Sequence, residues 1–507
     1  MGAPIQTVVI LGGGSAGFLC ALALKTKIPQ LSVTVVRAPE IPIVGVGEAT
    51  TAWMPWFLHE YLGLDRQEFY DKAQPVWKLG IRFIWGPDNR PYFNYPFDAA
   101  LTAKAGALSK NTGYYCLHST QGSSLYSHLM ARGKSPCFRT ASQELYIDEK
   151  FGYHIENSTF VAYLTCQAAK VGVRVLNKTF VEAKRKESGA IESLYFKDGT
   201  TLPGDLFVDC SGFRSVLLGG TLRESFTSFA NSLFCDSAVT GTWMREDSIQ
   251  PFTTAETMES GWCWRIDLTD RVNRGYVYAS AFASDEAAAA ELKHKNPQLE
   301  LDGKLIRFKS GRYGRSWVQN VVAVGNASGF VEPLESTGLH MICETAKMVC
   351  DVLLDSDRNP SESLVGTVNR SLGKKWDDIR NFLAIHFRLN RRVSSEFWKH
   401  CWNDVELDSA RELIDFFQDN GPSLLAQSLL PSESVFGLNG YFNLLIDQGI
   451  KPRVLPFISA EERQVWQHML QQLETVSHNA LTVKDAFLLI QNRQGKWLVP
   501  QLTSGVR

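Results

Sequence analysis

Gly12-Gly13-Gly14-Ser15-Ala16-Gly17 constrains this chain more than any other stretch. It fits G-x-G-x-x-G and lies between an apolar run, Thr7–Leu11, and a segment with helical character, Ala16–Thr26. Gly12 permits the tight turn, Gly14 lets a pyrophosphate approach the backbone, and Gly17 lets the helix pack on the sheet. Phosphates at such a place meet the free N–H groups and positive end of the helix. With Ser32–Val36 as a further strand, the first fifty residues read as a β-α-β unit, which requires a parallel sheet. Dinucleotide sites of this kind place an acid about 20 residues on. Here Arg37 stands at the end of the second strand and Glu40 falls beyond it. Arg37 suits a cover for adenine, a phosphate contact or a solvated strand end.

Two later segments favour FAD over a nicotinamide. Asp209-Cys210-Ser211-Gly212 and Gly325-Asn326-Ala327-Ser328-Gly329 each follow an apolar run. Strand-to-glycine turns that return to one nucleotide fold are usual in two-domain FAD enzymes. No second complete G-x-G-x-x-G exists for NAD(P)H. Reducing equivalents are therefore expected on flavin delivered by another protein.

The rest of the chain predicts a helix over Phe160–Val171 and strands at Val173–Leu176, Phe180–Arg185, Ile191–Phe196, Leu206–Asp209 and Asn320–Val324. Residues 222–320 alternate as antiparallel strands do, with a helix near Ser284–Lys295, and the pattern turns helical from Gly338 to about 490. Residues from about 55 to 150 read as loops and short helices, and Ile41–Thr50 as a loop. The expected fold is α/β, an FAD-binding fold combining a parallel sheet with helices and an antiparallel sheet. Residues 1–350 form the core, with pocket segments at about 55–150 and 222–310, and 351–507 a mainly helical substrate region packed on it.

A net charge of -1 gives no basic field for nucleic acid or an anionic membrane. No run reaches the roughly 18 apolar residues of a membrane span. The ten cysteines show no CxxC pair or His–Cys cluster, which predicts neither a metal site nor a disulfide scaffold and suits a reduced, cytoplasmic protein. Thirteen tryptophans suit either an aromatic pocket or an aromatic-filled core.

Five segments in order carry a specific resemblance: Gly12–Gly17; Gly45-Val46-Gly47-Glu48-Ala49-Thr50; Trp77-Lys78-Leu79-Gly80; Gly261-Trp262-Cys263-Trp264-Arg265-Ile266; and Phe330-Val331-Glu332-Pro333-Leu334-Glu335-Ser336-Thr337-Gly338. Over most of its length the chain resembles the tryptophan-halogenase branch of the flavin-dependent halogenases. The last segment fits that family's F-x-x-P-x-x-S-x-G pattern at Phe330, Pro333, Ser336 and Gly338.

The resemblance implies FAD used as FADH2, with O2 and chloride or bromide, and a separate NAD(P)H-dependent flavin reductase. It implies flavin contacts from Gly12, Gly14, Ser15, Ala16, Gly17, Arg37, Glu48, Ala49, Thr50, Asp209, Gly325 and Ala327. Lys78 matches the lysine that receives hypohalous acid between the flavin and substrate pockets. A compact ammonium with three donors suits that task. By alternation alone, Lys78 reads as a solvent-facing strand residue, since Trp77 and Leu79 are apolar. Glu335 matches the carboxylate that steadies the ring cation and takes its proton. Alternatively it is a helix N-terminal charge beside capping residues Ser336 and Thr337. The N–H groups of Thr337 and Gly338 match the halide site.

Trp262, Trp264 and Ile266 match W-x-W-x-I-P, a signature held to obstruct monooxygenation, but Asp267 replaces the proline. That departure keeps an FAD aromatic monooxygenase as the alternative enzyme, with a non-catalytic flavin binder as the third reading. Substrate walls fall to Tyr95 and Phe97, where the family's histidine is missing, and to Tyr441 in place of a tryptophan. An indole without the amino-acid head, a phenol or a peptide-borne aromatic fits this set better than free tryptophan. The same three rings also suit a core, and a homodimer is left open.

Overall fold

The computed structural model describes residues 4–41, 47–98, 108–110, 112–139, 145–246 and 248–493, with the backbone of 496–498. Gly45 and Val46 of the second motif lie outside the described residues. The chain folds as two compact units, each built from three stretches.

The first unit takes residues 1–74, 155–230 and 308–377. Its sheet runs in the order Arg174–Asn177, Ser32–Arg37, Thr7–Leu11, Leu206–Asp209, Val321–Ala323, Trp317–Val318. The first five strands are parallel and the last is antiparallel. Thr7–Leu11 pairs on both sides, so Val8 to Leu11 are buried and read as one apolar run. The crossover helix Ser15–Lys27 is buried continuously from Gly17 to Leu24. Such a helix must be covered all round, and Asn157–Lys170 and Gly338–Asp355 pack against it. A three-stranded sheet, Phe180–Arg185, Ile191–Phe196 and Thr201–Pro203, joins Ile191, Leu194 and Phe196 to the core of Val9, Leu11 and Phe207.

The second unit takes residues 75–154, 231–307 and 378–507. Its seven-stranded sheet runs Glu300–Arg307, Ser237–Met244, Arg271–Tyr278, Gly261–Asp267, Thr253–Met258, Gly80–Ile84, Phe93–Pro96. It is antiparallel apart from the pair Thr253–Met258 and Gly80–Ile84. The helix Asp285–Lys295 is capped by Ser284, whose side chain accepts from the Ala287 N–H. Helices Glu396–Asp404, Ala410–Asn420, Gly437–Asp447, Ala460–His478 and Val483–Gln491 follow.

Residues 55–150 depart from the loop-and-helix expectation. They hold strands at Val76–Lys78, Gly80–Ile84, Phe93–Pro96, Lys134–Arg139 and Leu145–Asp148. These strands are short, and Gly80–Ile84 finds its partner in Thr253–Met258, far along the chain. Strand formation there is set by tertiary pairing, which local composition does not display. No described helix is long and apolar enough to cross a membrane.

Candidate active site

In the first unit the glycine loop is built as its sequence demands. Gly12 has φ +133°, and a Cβ there would stand 2.2 Å from the carbonyl oxygen of Cys210. A Cβ on Gly17 would stand 1.9 Å from the Gly12 carbonyl oxygen. Strand, turn and helix can close up only because both side chains are missing. Gly14 differs, since nothing lies within 4 Å of where its Cβ would be. That open space sits at the N-cap of helix Ser15–Lys27, which no side chain caps. An uncapped, half-buried helix N-terminus beside an open glycine fits a pyrophosphate, so the residues present suit FAD. Gly325 stands beside this loop, its Cβ position 3.6 Å from the Ala16 Cβ. Ala327 is fully buried and its carbonyl accepts from the Ser215 hydroxyl at 2.7 Å.

Arg37 packs its stem against Gly13 and donates through Nε to Asn177 at 2.7 Å. It is therefore held over the loop rather than left as a solvated strand end. Glu40 turns away, accepting from the Thr179 hydroxyl. Asp209 is fully buried and spends its carboxylate on its own chain. One oxygen accepts from the Ser211 N–H and hydroxyl at 3.1 and 2.6 Å, the other from the Leu217 and Leu218 N–H groups at 2.7 and 2.9 Å. Four donors fill a carboxylate's acceptor sites, so Asp209 fixes the turn that presents Cys210 to Gly12. Burial raises its carboxyl pKa against these bonds. Glu48 forms a short strand with Ala49. Desolvation raises the pKa of its carboxyl, opposed by the Asn157 amide at 3.2 Å. Thr50 is buried and donates to the Thr51 carbonyl at 3.0 Å.

The segment 330–338 forms a tight turn into helix Gly338–Asp355. Phe330 is wedged edge-on between Phe213 and Phe308, with centroids at 4.9 and 5.1 Å. Pro333 opens a 3₁₀ turn that carries Glu335, only 2% exposed. Ser336 then takes φ 58°, a left-handed conformation costly for a residue with a Cβ. The expected side-chain cap does not form: Thr337 is the N-cap but makes no capping bond. It has φ -83° and ψ -6°, helical values rather than the extended backbone that aims a cap side chain. The helix therefore begins uncapped at exposed Gly338, with no acid in its first turn. An uncapped positive end of that kind fits an anion.

The second unit holds Lys78. Far from facing solvent, Lys78 is fully buried. The strand Val76–Lys78 pairs antiparallel with Gly152–Ile155 and is buried on both faces, which defeats inside–outside alternation. Trp77 stacks on Phe487 at 4.4 Å, while the Lys78 ammonium lies 5.0 Å from the Phe97 ring centroid, within cation–π range. Trp262 and Trp264 share one strand face as their spacing predicts, with ring centroids 6.1 Å apart. Ile266 continues that face and is buried. Asp267 is fully buried, its carboxylate bound to Arg265 at 2.8 Å and to the Gln250 N–H at 2.9 Å.

Tyr95 and Tyr441 meet around Phe382, at 6.0 and 4.8 Å between centroids. Tyr441 donates to Asp378 at 2.8 Å and is 2% exposed, a position inside packed aromatics. Phe97 is only half-buried. Sequence reasoning missed Asp378, Phe382 and His154. His154 is fully buried, within hydrogen-bond reach of the Asp267 carbonyl and the Thr253 hydroxyl. Its signal, the buried run Phe151–Ile155, is indistinguishable from any core strand. None of the ten cysteines forms a disulfide. Among the described residues no group of three or more His, Cys, Asp or Glu could hold a metal.

Comparison with known proteins agrees with these features. A family profile described as tryptophan halogenase matches residues 7–462. ThaL, a tryptophan 6-halogenase of Streptomyces albogriseolus, is 32% identical over 82% of this chain and 83% of its own. Among solved structures, MibH, a lanthipeptide tryptophan 5-halogenase, superposes with a TM-score of 0.88 at 37% identity, covering 96% of this chain and 94% of its own. Tar14, a tryptophan C-6 flavin-dependent halogenase from taromycin biosynthesis, reaches 0.86 at 28%, covering 96% and 100%. The resemblance drawn from five short segments is borne out: the chain belongs to the tryptophan-halogenase family and is a flavin-dependent halogenase.

Proposed function

We propose that this enzyme chlorinates or brominates an aromatic carbon of a tryptophan carried within a peptide, with Lys78 relaying hypohalous acid and Glu335 assisting deprotonation. The bound flavin, in its reduced form with O2, supplies the oxidising equivalents that convert halide to hypohalous acid. A separate NAD(P)H-dependent reductase delivers that flavin, in keeping with the single nucleotide motif of the chain. Gly12–Gly17 and Arg37 hold its phosphates. The uncapped start of helix Gly338–Asp355 holds halide through the N–H groups of Thr337 and Gly338. Ten cysteines without a disulfide among them suit a reducing cytoplasm.

The observation that carries the reading is the complete burial of Lys78 beside Phe97. An ammonium kept from bulk water hydrogen-bonds a small polar oxidant strongly and protects it from dispersal. Glu335, 2% exposed, suits a carboxylate that faces developing cationic charge and takes up a ring proton. A peptide substrate is favoured because the histidine step expected for free tryptophan is missing at Tyr95-Pro96-Phe97. The 37% identity with the lanthipeptide halogenase MibH supports the same choice.

The test is mass spectrometry of reactions containing the protein, FAD, NADH, an unrelated flavin reductase and bromide. Substrates are tryptophan-containing peptides, free tryptophan, indole and phenols. A bromine isotope doublet on a peptide and a much weaker one on free tryptophan is expected. Lys78→Ala should abolish that product while flavin titration is unchanged. Brominated free tryptophan as the dominant product overturns the substrate assignment, and undiminished yield from Lys78→Ala removes the lysine from the relay.

A further inference from the structure

Lys78 does not stand alone on its strand face. In the antiparallel pair of Val76–Lys78 with Gly152–Ile155, Val76 lies opposite His154 and Lys78 opposite Gly152. Residues that face each other across such a pair share a side, and so do residues two apart. His154 and Lys78 are therefore diagonal neighbours on one face, at the roughly 7–8 Å backbone spacing of such pairs. Gly152 has no side chain to separate them. Both residues are fully buried.

We propose that His154 is a positioning residue for Lys78: an imidazole locked in one tautomer by Asp267 and Thr253, forming the wall against which the lysine side chain is set. The inference rests on the reading of Lys78 as the relay. The tautomer follows from the partners. Nδ1 lies 3.2 Å from the Asp267 carbonyl oxygen, which can only accept, so Nδ1 carries the hydrogen. Nε2, 2.8 Å from the Thr253 hydroxyl, then accepts from it. Both ring nitrogens are thus used, and the ring cannot swing. Asp267 is itself fixed through Arg265 and Gln250. The anchor is the backbone carbonyl at position 267, which the motif proline would also present.

The imidazole is also neutral. Burial first, and then the field of Lys78, hold its pKa down to about 3. The Asp267 carboxylate is turned to Arg265 and Gln250, and from the strand Thr253–Met258 the imidazole meets a neutral hydroxyl. Lys78 is a charged side chain whose field acts on the ring. A neutral wall adds no repulsion to a buried ammonium and keeps water from it.

The experiment compares wild type, His154→Asn, His154→Phe and Lys78→Ala in the brominating assay, each first checked for flavin affinity and melting. Asn can keep the donor to the Asp267 carbonyl, whereas Phe keeps only bulk. For His154→Phe we expect kcat to fall at least about tenfold with KM nearly unchanged, the scale of loss when a reacting group is misplaced by an ångström. His154→Asn should recover part of kcat. Because Asn is smaller and admits water, the alkaline limb of its pH–rate profile should move upward by about half a unit or more. A merely structural histidine would lower the folded fraction but leave that limb where it is. Unchanged kcat in His154→Phe, or an unmoved limb in His154→Asn, overturns the proposal. Full activity in Lys78→Ala would instead sink the underlying relay reading, so the two failures are told apart.

Discussion

Gly275 offers a direct test of whether the tryptophan pair is set by the sheet. It lies opposite Trp264 in the pairing of Gly261–Asp267 with Arg271–Tyr278. The indole lies over it so closely that a Cβ would stand 2.0 Å from Cζ2, 2.1 Å from Cη2 and 2.5 Å from Cε2. Carbon atoms settle at about 3.5–4.0 Å, so in Gly275→Ala the ring must move by about 1.5 Å. Trp264 is 5% exposed and Trp262 is 1% exposed, which leaves no solvent gap to move into. Overpacking of this kind costs about 1–3 kcal/mol. The second unit, of about 290 residues, sits at or below the low end of roughly 2–4 °C per kcal/mol, so melting should fall by a few degrees. Near-UV circular dichroism should lose tryptophan signal, and kcat per folded molecule should fall at least about tenfold if the ring borders the reacting groups. A variant with wild-type melting and near-UV signal would refute the steric argument. Lowered melting with kcat intact would make the pair core packing and nothing more.

Other outcomes follow from the same geometry. Gly14→Ala should melt like wild type, because its Cβ meets nothing, yet bind FAD at least about tenfold more weakly in a fluorescence titration; Gly17→Ala should fail at the level of folding, since its Cβ would stand 1.9 Å from a carbonyl oxygen. His59 is buried, donates to the Leu64 carbonyl at 2.8 Å, and has its pKa pushed by burial from 6.5 down to about 4. The unfolded chain then binds the extra proton, so this stability is fully present above pH 6.5 and is lost as pH falls toward 4. At pH 5 the loss is about 2 kcal/mol. His59→Gln should therefore cost about 2 kcal/mol less at pH 5 than at pH 8 by urea unfolding, and equal costs at both would contradict the assignment.

The fold was legible where one rule acted alone. Thr7–Leu11 and Leu206–Asp209 are parallel strands buried on both faces, so their apolar runs mark them from end to end. Ser284 announces its helix because an N-cap is a local bond. Legibility failed where partners are remote. Gly80–Ile84 is a strand because Thr253–Met258 lies beside it. Lys78 is buried because its strand is covered on both faces, which no alternation rule foresees. Asp209 marks a strand-to-glycine turn in the sequence, but the four hydrogen bonds by which its carboxylate holds that turn are made by donors the motif does not display. Motif resemblance supplied the proposed roles of Lys78 and Glu335; the surroundings of Lys78 were invisible in it, because Asp267, Thr253 and His154 meet only in the folded sheet.

Asp267 separates a change of chemistry from a change of scaffold. If the motif proline itself guards against hydroxylation, its replacement should release hydroxylated products. The geometry argues otherwise. The carboxylate is fully buried and committed to Arg265 and the Gln250 N–H, so it neither exposes charge nor opens space. Asp267→Pro would strand that N–H and remove the carboxylate that Arg265 binds. Arg265 keeps 17% of its side chain exposed and can turn to water, which limits the damage. The cost is then about 1–3 kcal/mol, the price of an unsatisfied buried donor. Asp267→Asn keeps an acceptor for Gln250 and should lie between wild type and Asp267→Pro in melting. All three should give halogenated product, with yields that follow their folded fractions. Hydroxylated product from wild type, converted to halogenated product by Asp267→Pro, would show that position 267 governs the chemistry directly. The carboxylate's bonds would then be incidental to it.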